Sequence, residues 1–126
     1  MSKQPIQTTE APSAIGPYSQ AVQLGDMIYA SGQIGLDPET GELVDGLENQ
    51  THRVMQNVTA VLKAAGCEIN DVVKTLIFMQ NMEDFTTVNE IYASYFEEPY
   101  PARSAVEVAR MPKGALVEVE VIAKKK

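Results

Sequence analysis

Val72-Val73-Lys74-Thr75-Leu76-Ile77-Phe78-Met79 is apolar on both of its alternating faces, with Lys74 its only charge. Successive strand side chains point to opposite faces, so a run apolar on both is suited to the middle of a sheet or to parallel pairing rather than a wetted edge. A strand is expected over Asp71–Met79, and both its neighbours have helical periodicity. Upstream, Leu47, Val54, Val58, Val61, Leu62 and Ala65 recur at helical spacings, which predicts a helix over Leu47–Ala65 stopped by Gly66. Downstream, Asn81 is a plausible N-cap with Asp84 in the first turn, and Phe85, Val88, Ile91, Tyr92 and Tyr95 form one stripe ended by Glu97-Glu98-Pro99. A strand between two one-sided helices is the kernel of a sheet with one covered face.

Two more strands follow. Pro101-Ala102-Arg103-Ser104-Ala105-Val106-Glu107-Val108 alternates Ala102, Ser104, Val106 and Val108, expected on the core face, with Arg103, Ala105 and Glu107 on the polar one. On this stretch alone two readings of Arg103 stay open. One is a surface ion pair; the other is a five-donor guanidinium fork for a planar carboxylate or phosphate. After the turn Met111-Pro112-Lys113-Gly114, Leu116–Ala123 places Val117, Val119, Val121 and Ala123 on one face and Leu116, Glu118, Glu120 and Ile122 on the other. Two carboxylates at i and i+2 ordinarily mark a half-exposed antiparallel strand.

Toward the N-terminus, Gly25-Asp26 is a tight hairpin signal between Ala21–Leu24 and Met27–Gln33. Gly32 weakens the second strand, which predicts a bulge or a close backbone approach there. Lys3–Thr9 is expected as a short edge strand, since only an edge tolerates Pro5. Ala14-Ile15-Gly16-Pro17-Tyr18 is a restricted turn that holds Tyr18 on a fixed loop, and Gly35–Glu42 is a turn-rich loop. The predicted order is β-β-β-α-β-α-β-β, an α+β two-layer domain of six strands with two helices on one face, spanning residues 1–126 as a single domain. The other face, with Tyr29, Leu116 and Ile122, is too apolar to stay wet, so oligomerisation is expected to hide it.

Composition narrows the function classes. The formal net charge is −7 and the basic residues cluster only at Lys124-Lys125-Lys126, which argues against binding nucleic acid through phosphate neutralisation. A single cysteine, Cys67, excludes an internal disulfide and is expected as a small buried apolar residue; the single His52 is expected to be solvated. No metal site or cofactor is expected, nor a membrane span or signal peptide, which leaves a cytoplasmic protein with a small-molecule partner.

Three blocks in order, Ile15-Gly16-Pro17-Tyr18-Ser19-Gln20-Ala21, Ser31-Gly32-Gln33-Ile34 and Pro101-Ala102-Arg103-Ser104 followed by Leu116-Val117-Glu118-Val119-Glu120, resemble the signature blocks of the RidA (YjgF-like) family of enamine/imine deaminases. The resemblance covers essentially the full chain. It implies a chorismate-mutase-like two-layer sandwich with one mixed six-stranded sheet, the last strand lying between the Met27 and Asp71 strands. It further implies a homotrimer whose sheets face inward as a barrel, with clefts between subunits. Residue by residue, it implies that Arg103 binds a carboxylate, that Glu118 orients water, and that Tyr18 lines the cleft and bonds the ligand. Ser31 and Asn89 are further pocket residues. Ala105 stands where many bacterial members carry a cysteine, so thiol chemistry is absent there, although its backbone N–H can still donate to a ligand. The segment 97–100 is shorter than in better-known bacterial members.

The implied activity is cofactor-free hydrolysis of 2-aminoacrylate/2-iminopropanoate and 2-aminocrotonate/2-iminobutanoate to 2-oxo acids and ammonia. Two alternatives are carried: a non-catalytic module that senses 2-oxo acids, and an endoribonuclease or translation inhibitor, which the acidic balance opposes.

Overall fold

The computed structural model describes residues 2–126. Its elements are β1 (Gln4–Ile6), β2 (Ala21–Leu24), β3 (Met27–Ala30), β4 (Gln33–Ile34), α1 (Leu47–Ala64), β5 (Val72–Met79), α2 (Phe85–Ala93), β6 (Ala102–Glu107) and β7 (Val117–Lys124). Short 3-10 turns at Ile69–Asp71, Met82–Asp84 and Pro112–Gly114 join them. One sheet runs β1-β2-β3-β7-β5-β6, and β4 also pairs with β7. All neighbours are antiparallel except β5 and β6, which run parallel. A parallel pair needs a crossover, and α2 supplies it, packed back onto the sheet.

The sheet has seven strands, not the expected six. The run expected as one strand over 27–33 is interrupted after Ala30 because its register against β7 slips by one residue, from Tyr29 opposite Ile122 to Gln33 opposite Val119, while the Ser31 amide stays bonded to Gln20 O at 2.9 Å in line with the β2–β3 ladder. Gly32 then passes against β7, the close approach that its position in the sequence predicts. The second helix starts at Phe85, the first residue of its stripe and later than an N-cap at Asn81 suggests. Asn81 Oδ1 accepts from Glu83 N at 2.9 Å and so caps the 3-10 turn, not α2 itself.

α1 ends as its sequence requires. Gly66 adopts φ 82°, and the amides of Gly66 and Cys67 reach back to Lys63 O and Leu62 O at 3.0 and 2.8 Å, the paired bonds of a Schellman cap. Only a glycine takes that left-handed conformation without steric cost. The cap delivers Cys67 into the core at 5% exposure.

The core lies between the helices and one face of the sheet. Val54, Met55, Val58, Val61 and Leu62 of α1 pack in one buried cluster with Ile77 and Met79 of β5 and with Val117, Val119, Val121 and Ala123 of β7. Each of the Val, Leu, Ile and Met side chains contributes roughly 1.5–3 kcal/mol relative to exposure. The opposite face carries no layer. Leu24, Tyr29, Val73 and Val106 stand 41–46% exposed, and Leu76, Phe78 and Ile122 are only partly covered.

β6 reverses the expected assignment of faces. Ala102, Ser104 and Val106 pair with Lys74, Leu76 and Phe78 and share the open face, and all three are exposed. Arg103 and Ala105 pair with Thr75 and Ile77, both buried, so they point toward the helices. The reason is tertiary: α2 offers aromatic rings to a guanidinium at this edge, while the small side chains of the other face have nothing above them. Among the described residues, no helix is long and apolar enough to cross a membrane.

Candidate functional site

Glu118 sits on the open face of β7, opposite Ile34 of β4 and Phe78 of β5. It lines a hollow of about 340 Å³ together with Tyr18, Ser31, Gly32, Gln33 and Lys113. Gly32 makes room for it: a Cβ built there would stand 2.6 Å from Glu118 Oε2, far inside van der Waals contact. Any side chain at Gly32 would therefore displace the carboxylate. Burial first, and the neighbouring Glu120 charge second, push the Glu118 carboxyl above its ordinary pKa. Among the described residues no Lys or Arg nitrogen lies within 4.0 Å of it. A carboxyl whose pKa is raised, in a partly dry hollow, is chemically suited to pass a proton to and from water.

The loop bearing Tyr18 is anchored by Gln20, a buried residue whose amide acts as a four-way clasp. Gln20 Oε1 accepts from Thr8 N at 2.7 Å, and Nε2 donates to the carbonyls of Thr8, Ala11 and Pro12 at 3.0, 3.3 and 2.7 Å. Ser31 Oγ donates to Ser19 O at 2.7 Å, tying the same loop to the glycine beside Glu118. Tyr18 itself is 54% exposed, its phenol free to meet a ligand. Ser31 thus has a local structural bond in addition to its place on the hollow.

Arg103 occupies a second hollow, of about 470 Å³, with Asn89, Tyr92, Ala93, Tyr100 and Pro101. Its Nη1 donates to Asn89 Oδ1 at 2.6 Å, and its guanidinium carbon lies 5.4 and 5.1 Å from the ring centres of Phe85 and Tyr92. Phe85, Asn89 and Tyr92 are four and then three residues apart, on one face of α2. Among the described residues no carboxylate lies within 4.0 Å of Arg103, so the surface ion pair, one of the two readings open in the sequence, is not what holds it. Ala105 follows on the same face of β6 and joins Arg103 in a shallow hollow with Met82, Phe85 and Thr86.

The six candidate residues thus fall into two groups. Tyr18, Ser31 and Glu118 meet in one hollow; Arg103, Asn89 and Ala105 gather about the other. The first lies on the open face and the second on the helix-covered one, so within one chain the two groups do not face each other. Gln20 carries no periodic or motif signal of its own beyond its place in the first block. Phe85 and Tyr92 are legible only as core positions of a helix stripe. His52, expected to be solvated, is exposed but pairs through Nδ1 with Tyr95 Oη at 2.9 Å.

The family model described as endoribonuclease L-PSP matches residues 8–125. The chain is 54% identical over 119 residues to a mouse protein named 2-iminobutanoate/2-iminopropanoate deaminase, covering 94% of this chain and 88% of that one. It superposes on the crystal structure of RidA from the Antarctic bacterium Psychrobacter sp. PAMC 21119 with a TM-score of 0.94 at 49% identity, covering 96% and 98% of the two chains. Escherichia coli TdcF, solved with bound serine, superposes with a TM-score of 0.93 at 43% identity, covering 98% and 99%. With its three sequence blocks placed around these two hollows, the chain belongs to the RidA (YjgF-like) family, whose model carries the endoribonuclease L-PSP description.

Proposed function

We propose that this chain hydrolyses short 2-imino acids and their enamine tautomers, 2-aminoacrylate/2-iminopropanoate and 2-aminocrotonate/2-iminobutanoate, to 2-oxo acids and ammonia. The observation that carries the reading is a division of labour: an arginine with no carboxylate within 4.0 Å lines one hollow, and a carboxyl with no Lys or Arg nitrogen within 4.0 Å lines the other. Each half is incomplete alone. A substrate with a carboxylate at one end and an electrophilic carbon next to it would satisfy both. The deaminase name of the mouse relative and the amino acid bound to TdcF support the same chemical class.

In this mechanism Arg103 holds the substrate carboxylate through the N–H groups that Asn89 leaves free. Glu118 takes a proton from water as the water oxygen bonds to C2 of the C=N group. The C=N π electrons pass to nitrogen, which receives that proton from Glu118; the new C2–OH group then gives up its proton, which reaches nitrogen as the C2–N bond breaks, so that ammonia departs and C2 keeps the oxygen as a ketone. Imines of this kind react with water unaided, so positioning supplies most of the acceleration. Tyr18 caps the ligand, Ser31 and Asn89 line the pocket, and the Ala105 backbone N–H is available as a further donor.

Because the two groups occupy opposite faces, the working cleft is formed between subunits, and the open apolar face around Tyr29, Val73 and Val106 is the surface those subunits share. A homotrimer with the sheets turned inward satisfies both requirements. The same residues could bind a 2-oxo acid without turnover, as a sensing module would. A polyphosphate strand fits less well, since Glu118 and Glu120 and a net charge of −7 repel it.

The test couples a threonine dehydratase to semicarbazide trapping of the free imine. The protein is expected to lower trapping and accelerate 2-oxobutanoate formation, and Arg103→Ala to abolish both. Equal protection by wild type and Arg103→Ala contradicts the site. Ligand-induced stabilisation by 2-oxobutanoate with no acceleration supports the sensing alternative instead.

A further inference from the structure

Thr75 is a polar residue where the fold asks for an apolar one. It lies in the centre of β5 at 0% exposure, facing the helices among Ile77, Met79 and Val121, and a valine of the same shape would serve that position in a plain core. A buried hydroxyl costs stability unless it is bonded. Its partner is Tyr92 Oη, 2.8 Å away and itself on a residue only 4% exposed. The bond therefore runs from the core of the sheet to the tyrosine whose ring lies 5.1 Å from the Arg103 guanidinium carbon. In addition, Thr75 and Arg103 are direct partners across the parallel β5–β6 ladder, so Thr75, Tyr92 and Arg103 form a closed triangle on one face of the sheet.

We propose that Thr75 is a positioning residue for Arg103, acting through Tyr92. The inference rests on the reading of Arg103 as the carboxylate clamp. β6 is an edge strand, and Arg103 on it is exposed, with several rotatable bonds to solvent. An arginine in that setting would sample many rotamers, and each would have to be given up when a carboxylate binds. The faces of Phe85 and Tyr92 restrict the plane of the guanidinium, and Asn89 fixes one of its nitrogens. The bond to Thr75 fixes the ring. Since Tyr92 follows Asn89 by three residues on α2, it also fixes the turn from which Asn89 reaches the arginine. The socket is thereby set before any ligand arrives.

The experiment measures 2-oxobutanoate binding by calorimetry, at a temperature well below unfolding, for wild type, Thr75→Val, Thr75→Ser, Tyr92→Phe and Arg103→Ala. Thr75→Val and Tyr92→Phe each remove the same bond from one end, and each is expected to weaken binding about three- to tenfold, as the loss of one buried hydrogen bond would. The double variant is expected to be no weaker than either single one. Thr75→Ser, which keeps the hydroxyl, is expected to restore binding to near the wild-type value. A role confined to folding would lower the melting temperature of Thr75→Val without changing the affinity of the folded protein. Wild-type affinity in both Thr75→Val and Tyr92→Phe, with binding lost in Arg103→Ala, overturns the positioning role and leaves the site intact. Wild-type affinity in Arg103→Ala overturns the reading of the site, and the positioning role with it. Should Thr75→Val not fold, Tyr92→Phe and Thr75→Ser decide the matter alone.

Discussion

Arg103 and Glu118 stand on opposite faces of one sheet. β5 separates their strands: Arg103 pairs with Thr75, whose side chain is buried beneath the helices, whereas Glu118 pairs with Phe78, three positions on and therefore on the other side. Strand alternation allows no rotamer to undo this. If both residues act on one substrate, they belong to different subunits.

Gly32→Ala is expected to remove most of the activity at small cost in stability. The added methyl would meet Glu118 Oε2 at 2.6 Å, and the carboxyl, not the backbone, is free to move. A displacement of about 1 Å at a reacting group costs on the order of 10²-fold in rate. Imine-trapping kinetics beside a thermal melt check this. Full activity in the alanine variant would mean that the position of Glu118 is unimportant.

Glu118→Gln is expected to lower turnover by about 10²–10⁴-fold, the range of a lost general acid–base group. It is also expected to melt higher than wild type at neutral and alkaline pH. Burial and Glu120 raise the Glu118 pKa in the folded chain, so the unfolded chain gives up this proton first as pH rises. Wild-type stability from this group is therefore undiminished below the unfolded-state pKa and falls as pH climbs through the raised folded value. The gap between variant and wild type should close in acid. A gap that widens in acid would contradict the sign.

Gln20→Ala is expected to loosen the N-terminal loop. Four hydrogen bonds end on this one side chain, and its loss leaves the Thr8 amide and the carbonyls of Ala11 and Pro12 without it. Destabilisation of roughly 1–3 kcal/mol is expected for orphaned buried groups. Hydrogen exchange should show loss of protection at Thr8, and the affinity for 2-oxobutanoate should fall through Tyr18.

Much of this arrangement is legible in the sequence, because it depends on local rules. Gly66 ends α1 where a left-handed residue is needed, the apolar run around Ile77 becomes an interior strand, and Gly32 marks a close approach. The faces of β6 are a different matter. Alternation separates Arg103 from Ser104 and Val106 but does not say which side meets the helices, and small apolar residues suggest the wrong one. The outcome depends on α2 presenting Phe85, Asn89 and Tyr92 to that edge, a tertiary fact with no local signature. The break between β3 and β4 is only half legible: Gly32 signals a bulge or close approach, but the one-residue slip of register is set by the partner strand β7 and the Glu118 side chain it carries. Gln20 sits in the first signature block, but nothing in its neighbours announces that residues 8–12 fold back onto it.

The most direct measurement mixes two inactive proteins. Arg103→Ala and Glu118→Gln are each expected to be inactive as pure oligomers. Unfolding them together and refolding should give mixed oligomers in which about a quarter of the clefts combine an intact Arg103 from one subunit with an intact Glu118 from its neighbour. Recovery of roughly that fraction of wild-type imine hydrolysis is the predicted result. Mixed oligomers verified by native mass spectrometry that stay inactive would contradict a cleft shared between subunits.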